Sequence, residues 1–356
     1  MRYPNASTLV ALVLTGLLLG SITFSPLDAQ TPANPAAGHR EVPDDPYVPM
    51  PAEERLTAPA RTWTRNGHIS VQVNVDSQGQ DIVGDAANEP SIAVDPTNPD
   101  RMAIGWRQFD NIDSNFRQAG RGYTTDGGQI WTFPGVLDPG FFRSDPVLDF
   151  DAAGNFYYDS LEDDFCTSTF KSSDGGQSWD APVFSHGGDK QWIGVDRSGG
   201  FGDGHIYHVW NSFFGCTNST TDFNRSVDGG MSFRDPVSTV IEPVWGTTAV
   251  GPAGEVYVAG NAATPGGYAV VKSTTLQNPL LPENFDFFAD VDLGGPQQSF
   301  LSESPNPGGL LGQVWVAADP NDTGGLGTVY VLASVNPPGS DPLDVHFVRS
   351  TDGGVT

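Results

Sequence analysis

One short pattern recurs along this chain at intervals too wide for a single hairpin or helix. It reads Thr124-Thr125-Asp126-Gly127-Gly128-Gln129-Ile130-Trp131, then Ser172-Ser173-Asp174-Gly175-Gly176-Gln177-Ser178-Trp179, then Ser226-Val227-Asp228-Gly229-Gly230-Met231-Ser232-Phe233. A fourth copy, Ser350-Thr351-Asp352-Gly353-Gly354, stops before its aromatic. The aspartates stand 48, 54 and 124 residues apart, so the last interval holds two repeats. A decayed copy fills it at Lys272-Ser273-Thr274-Thr275, with Thr275 in the aspartate position. A period near 50 residues marks an array of supersecondary units and overrides a domain count made from length.

Between these copies a second pattern repeats, an apolar strand running into a Gly/Pro/Asp turn and a second apolar strand. Its copies are Ser91 to Trp106, Val147 to Ser160, Trp192 to Trp210, Thr247 to Gly260 and Val314 to Ser334. Each repeat therefore reads strand, turn, strand, loop, strand, aspartate turn, strand. No long segment holds a 3.6-residue period, which excludes a helical bundle, and 43 glycines and 29 prolines suit many tight turns. The expected fold is all-β, a β-propeller of four-stranded antiparallel blades. Five blades are legible, of a ring of six or seven that is expected to be truncated at its C-terminal end.

The turn residues have a physical reason. A sharp reversal between the third and fourth strands needs positive φ, which the Gly-Gly pair supplies, while the aspartate carboxylate accepts backbone N–H groups and the Ser or Thr hydroxyl adds a local bond. Trp131, Trp179 and Phe233 are expected to pack under the turns, largely buried. A carboxylate in every repeat invites a catalytic or calcium-loop reading. Turns spread around a ring lie too far apart to act together, so Asp126, Asp174, Asp228 and Asp352 are assigned a structural role. The same holds for Asp95, Asp151, Asp196 and Asp319 in the first hairpin turns.

These repeats, SSDGGQSW and SVDGGMSF above all, resemble the BNR/Asp-box repeats of the sialidase (neuraminidase) superfamily, over roughly His68 to Thr356. The resemblance implies a secreted propeller that binds and hydrolyses glycans. Asp boxes also occur in propellers resembling xyloglucanases, sorting receptors and photosystem assembly factors, so a non-catalytic binding or adhesion module is the alternative. A sialidase would use a Tyr nucleophile with a Glu partner, an Asp acid/base and three Arg that clamp the sugar carboxylate. An Arg-Ile-Pro is expected on the first inner strand, but Asn88-Glu89-Pro90 stands there, an anion in place of a cation.

In a propeller the starts of the inner strands converge on one funnel. The residues at those starts nominate Glu89, Asp145 and Glu242 as catalytic candidates and Asp189, Lys190, Gln191 and Trp192 as substrate-binding candidates; among arginines expected to reach the funnel from nearby loops, Arg107 and Arg143 join the first group and Arg121 the second. Convergent carboxylates raise at least one pKa, as a general acid requires. The bland reading is that these acids cap strand ends or hold a structural Ca²⁺; no other cofactor or metal is expected. Cys166 and Cys216 occupy corresponding loops of adjacent repeats, 50 residues apart, and are expected to form a disulfide at the funnel rim.

The formal charge of −26, from 43 acidic against 17 basic residues, argues against nucleic acid as a partner. Arg2 followed by an apolar run from Leu9 to Leu19 reads as a signal peptide over residues 1–29, too short to span a bilayer, which predicts a secreted, extracellular or periplasmic protein without a transmembrane segment after cleavage. Residues 30–66 read as a Pro-rich linker, with order from His68, where Ile69, Val71, Val73 and Val75 alternate as in a half-buried strand. The propeller is expected to occupy 67–356. Oligomeric state is not legible.

Overall fold

The computed structural model describes residues 46–48, 55–263, 267–297, 312–322, 327–340 and 343–356; the expected signal peptide lies outside them. Five antiparallel sheets follow one another along the chain. The first contains Ala86–Val94, Met102–Phe109 and Arg117–Thr124, and the second Ser144–Phe150, Phe156–Leu161, Thr167–Ser172 and Val183–His186. The third contains Trp192–Val195, Ile206–Val209 and Phe223–Ser226, and the fourth Pro243–Val250, Val256–Ala262, Tyr268–Ser273 and Phe287–Val291. The fifth contains Trp315–Ala318, Val329–Val335 and Asp344–Ser350. Isolated bridges mark a fourth position in the first sheet, at Tyr123–Thr132 and Ala119–Leu137, and in the third, at Phe223–Val237. Among the described residues the helical elements are two 3-10 turns, Ser212–Phe214 and Cys216–Asn218.

The first strand of each sheet packs beside the first strand of the next, which sets the sheets radially about the inner strands: the chain is an all-β propeller. Its core lies between blades. The fourth sheet shows why, because both of its faces are apolar. Val256, Val258, Ala269 and Val271 meet Tyr207, Val209 and Phe223 of the third blade, while Tyr257, Ala259, Tyr268 and Val270 meet Val314, Val316, Val331 and Ala333 of the fifth. Strands buried on both sides read as continuous apolar runs, as VYVAG does.

The aspartate turns close each blade at one end. In the second blade the Ser172 hydroxyl donates to Asp174 Oδ1 at 2.9 Å and accepts from the Gly176 N–H, and the carboxylate accepts the Ser178 N–H. The same pattern recurs at Thr124 and Asp126, Ser226 and Asp228, and Ser350 and Asp352. The glycines take φ near +73° to +87° at Gly127, Gly128, Gly175 and Gly176, a region closed to side-chain-bearing residues without strain. Trp131, Trp179 and Phe233 are half-buried rather than largely buried. The reason is geometric: the two indoles lie along the turn and donate their N–H to the Gly128 and Gly176 carbonyls, leaving one side open. In the first hairpin turns, Asp95, Asp151, Asp196 and Asp319 accept backbone N–H groups two residues on.

A basic side chain preceding the turn serine reaches across to the next blade. Lys171 Nζ donates to the Gly229 carbonyl and Lys272 Nζ to the Gly353 carbonyl. Arg225, fully buried, donates to the carbonyls of Leu276, Asn278 and Leu281 and pairs with Glu283 at 2.9 Å. It thereby holds the decayed turn, which lacks an aspartate to organise its own backbone.

Two short strands, Thr57–Pro59 and Thr62–Arg65, fall inside the stretch expected to be a linker. Thr62–Arg65 pairs with His68–Val71, and Thr57–Pro59 with Gln80–Ile82. The expected alternation departs at both ends, since Ile69 is exposed and the strand stops at Val71, with Val75 buried beyond it. Val73 and Ile82 pack on Trp106 and Phe133 of the first blade.

Candidate functional site

Glu89, Asp145, Lys190 and Trp245 occupy the same place in four successive blades, and all four have positive φ, 50°, 43°, 55° and 49°. In the first, second and fourth blades this residue falls in a bulge, where pairing slips between Asn88 and Ser91, Ser144 and Val147, and Val244 and Thr247. A left-handed conformation is costly for residues with a Cβ, and a strained residue at one repeat position is the kind of outlier that marks a site.

A cavity of about 290 Å³ opens here, lined by Glu89, Lys190, Gln191, Trp192, Gln313 and Trp315 among others. Its charges form one cluster. A single nitrogen of Arg107, Nη2, contacts both Glu89 Oε2, at 2.7 Å, and Asp145 Oδ1, and Lys190 Nζ contacts Asp145 Oδ2 at 2.6 Å. The Ser144 hydroxyl donates to Asp145, whose backbone carbonyl accepts the Gln191 side-chain amide. Burial works against ionisation of Asp145, but Lys190 and Arg107 outweigh it and hold its carboxyl far below the usual range. Glu89 moves the other way, because burial and the Asp145 charge exceed what the two cations return. Asp189 is pushed up to about 6 by burial, with Asp145 adding to the effect and Lys190 opposing it. Burial would lower Lys190, yet the three surrounding carboxylates raise it.

The loop beneath is fixed by a disulfide between Cys166 and Cys216, as expected from the sequence. The Cys216 N–H donates to Gly187 O, and the Asp189 N–H to Phe214 O at 2.9 Å. The Asn211 N–H donates to Asp189 O, while its side-chain oxygen accepts the Trp245 N–H at 2.6 Å. The second, third and fourth blades are thus tied together at the cavity end.

Of the residues expected at the funnel, the structure brings together Glu89, Asp145, Lys190, Gln191, Trp192 and Arg107, with Asp189 immediately behind Lys190. Three fall elsewhere. Glu242 lies three residues before the register position, which Trp245 occupies, and does not line the cavity. Arg143 is buried against Asp138 and Glu162, at 2.7 and 2.8 Å, with its guanidinium over Phe170. Arg121 donates to Gly135 O and Gln177 O, within reach of the second blade's aspartate turn, which places it at the opposite end. Gln313 and Trp315 were not anticipated; counting back from the Asp319 hairpin turn would have aligned them with Glu89 and Ser91. Among the described residues no group of three or more His, Cys, Asp or Glu side chains stands where it could hold a metal ion.

No family model matches the chain, and no curated protein does. Solved structures do resemble it. A protein of unknown function from Dyadobacter fermentans is 14% identical over 76% of this chain and 83% of that one, with a TM-score of 0.48. An ancestral GH74 enzyme is 17% identical over 80% and 34%, with a TM-score of 0.46. A leech intramolecular trans-sialidase, complexed with 2,7-anhydro-Neu5Ac, is 11% identical over 75% and 62%, with a TM-score of 0.40. No site residue is carried over from them. Among the described residues no helix is long and apolar enough to cross a membrane.

Proposed function

We propose that this chain is an exported Asp-box propeller of the sialidase type that binds a glycan in the cavity where its inner strands begin. The observation that carries the reading is the pairing of an open aromatic face with an unspent polar atom. Trp315 is 42% exposed at the cavity and stands edge-on to Trp192, with ring centroids 4.6 Å apart. Gln191 is 1% exposed, and its Oε1 has no hydrogen-bond partner among the described residues. An indole stacks on the C–H face of a pyranose, and a buried amide oxygen gains a hydrogen bond when a hydroxyl arrives.

Hydrolysis is a second reading, favoured by the opposed pKa shifts of Glu89 and Asp145, a pattern that separates an acid from a carboxylate. Against it, both carboxylates hang on one nitrogen of Arg107. That shared contact occupies both groups that a glycosidase would use to protonate the leaving group and to attack or activate water.

Screening against an oligosaccharide array, followed by calorimetry on the strongest ligand, tests the binding reading. Trp315→Ala is expected to weaken that ligand at least about tenfold, or 1.4 kcal/mol, with the fold intact. Undiminished affinity in this variant would remove the cavity from consideration.

A further inference from the structure

We infer that the cavity selects uncharged sugars and discriminates against acidic ones. This rests on the glycan reading above and follows from how the site's charges are already used. The cation lining the cavity, Lys190, is engaged by Asp145, and Arg107, which stands behind the lining carboxylates, is engaged by both Glu89 and Asp145. A sugar carboxylate entering here meets no spare guanidinium pair of the kind that recognises it bidentately. To recruit Arg107 it would have to displace Glu89, the outermost member of the cluster, 44% exposed on its side chain, and leave that anion beside Asp145. Like charges brought together in a partly desolvated site are costly.

Each carboxylate is engaged in turn, so the cluster offers little to a cationic sugar either. What the cavity has in reserve is neutral: the unpartnered Gln191 Oε1, the Gln313 amide and the Trp315 face. The assignment of the Gln191 amide follows from its network, since its nitrogen donates to the Asp145 carbonyl and so turns the oxygen away. The chain's overall charge of −26 acts in the same direction, repelling polyanions before they arrive.

The test uses ligand pairs of nearly identical shape that differ in charge: oligogalacturonate against its methyl ester, and sialyllactose against its methyl ester, with a panel of neutral oligosaccharides alongside. At least one neutral or esterified ligand is expected to bind, its acid form at least tenfold more weakly. Raising NaCl from about 50 to 500 mM should leave the neutral Kd within about twofold, because no ion pair with the ligand is screened. Glu89→Gln, which removes the charge of one of the two carboxylates on Arg107, should narrow the gap between acid and ester. An acid form that binds as well as its ester, or better, overturns the selectivity while leaving glycan binding in place. Failure of every glycan at millimolar concentration removes the glycan reading and this inference with it.

Discussion

Asp222 stands at the start of the third strand of the third blade, fully buried, with one carboxylate oxygen accepting the Thr239 N–H at 2.8 Å and the other unpartnered among the described residues. Burial pushes its pKa up to about 7, and the charge of Glu242 adds to the rise. The sign of the stability effect follows by linkage. Between the unfolded value near 4 and about 7 the folded protein keeps a proton that the unfolded chain has lost, so stability falls as pH rises through that window. Asp222→Asn keeps the acceptor for Thr239 and removes the titration. The variant should match the parent near pH 4 and exceed it at pH 8 by roughly 1–4 kcal/mol, read from denaturant unfolding at the two pH values. An equal effect at both would show that Asp222 is not the titrating group. The aspartates of the turns behave oppositely. Hydrogen bonds outweigh the partial burial of Asp174 and Asp228 and lower both, so their contribution is present above pH 4 and fades as pH falls below it. Sequence reading found the turn aspartates because their neighbours repeat; Asp222 repeats nowhere, and nothing local distinguishes it.

Strands and turns were legible because alternation, glycine pairs and the repeat spacing agree, whereas the register of the inner strands was not. Matching an acid followed by proline selects Glu89-Pro90, Asp145-Pro146 and Glu242-Pro243, but the bulge in the fourth blade lies three residues further on, at Trp245-Gly246. A bulge adds a residue without a compositional mark, so only counting back from the hairpin turn exposes it. The loop between the second and third strands of the third blade shows the opposite case. Corresponding places in adjacent repeats, one repeat length apart, identified Cys166 and Cys216, and the bond they form steadies the segment that positions Asp189 and, through Asn211, Trp245. Replacing both cysteines by serine should lower stability by about 2–4 kcal/mol, the usual range for a bond closing a loop of this length. Glycan affinity should fall with it while far-UV circular dichroism is retained. Unchanged affinity in the double variant would show that the loop holds its place without the bond.

At the scale of the whole molecule, stability is shared among interfaces between neighbouring blades, and the fifth blade shows what such an interface requires. The fourth buries Tyr257, Ala259, Tyr268, Val270 and Lys272 against it. Counting along the strands, the corresponding residues of the fifth are Tyr330, Leu332, Val345, Phe347 and Arg349. Leu332 is 38% exposed, Val345 71% and Phe347 60%, and Arg349 stands in the place from which Lys171, Arg225 and Lys272 reach the following turn. A contiguous apolar sheet face in water favours association of any kind that covers it. With the Leu332, Val345 and Phe347 face open, the protein should therefore show concentration-dependent sedimentation at tens of micromolar and above. Leu332→Glu combined with Phe347→Glu should suppress that association, and because both side chains already face solvent, unfolding stability should change by no more than about 0.5 kcal/mol each. Loss of stability well beyond this would mean that the face is already packed within the monomer. Identical sedimentation of parent and variant, with stability unchanged, would mean that it is open yet inert.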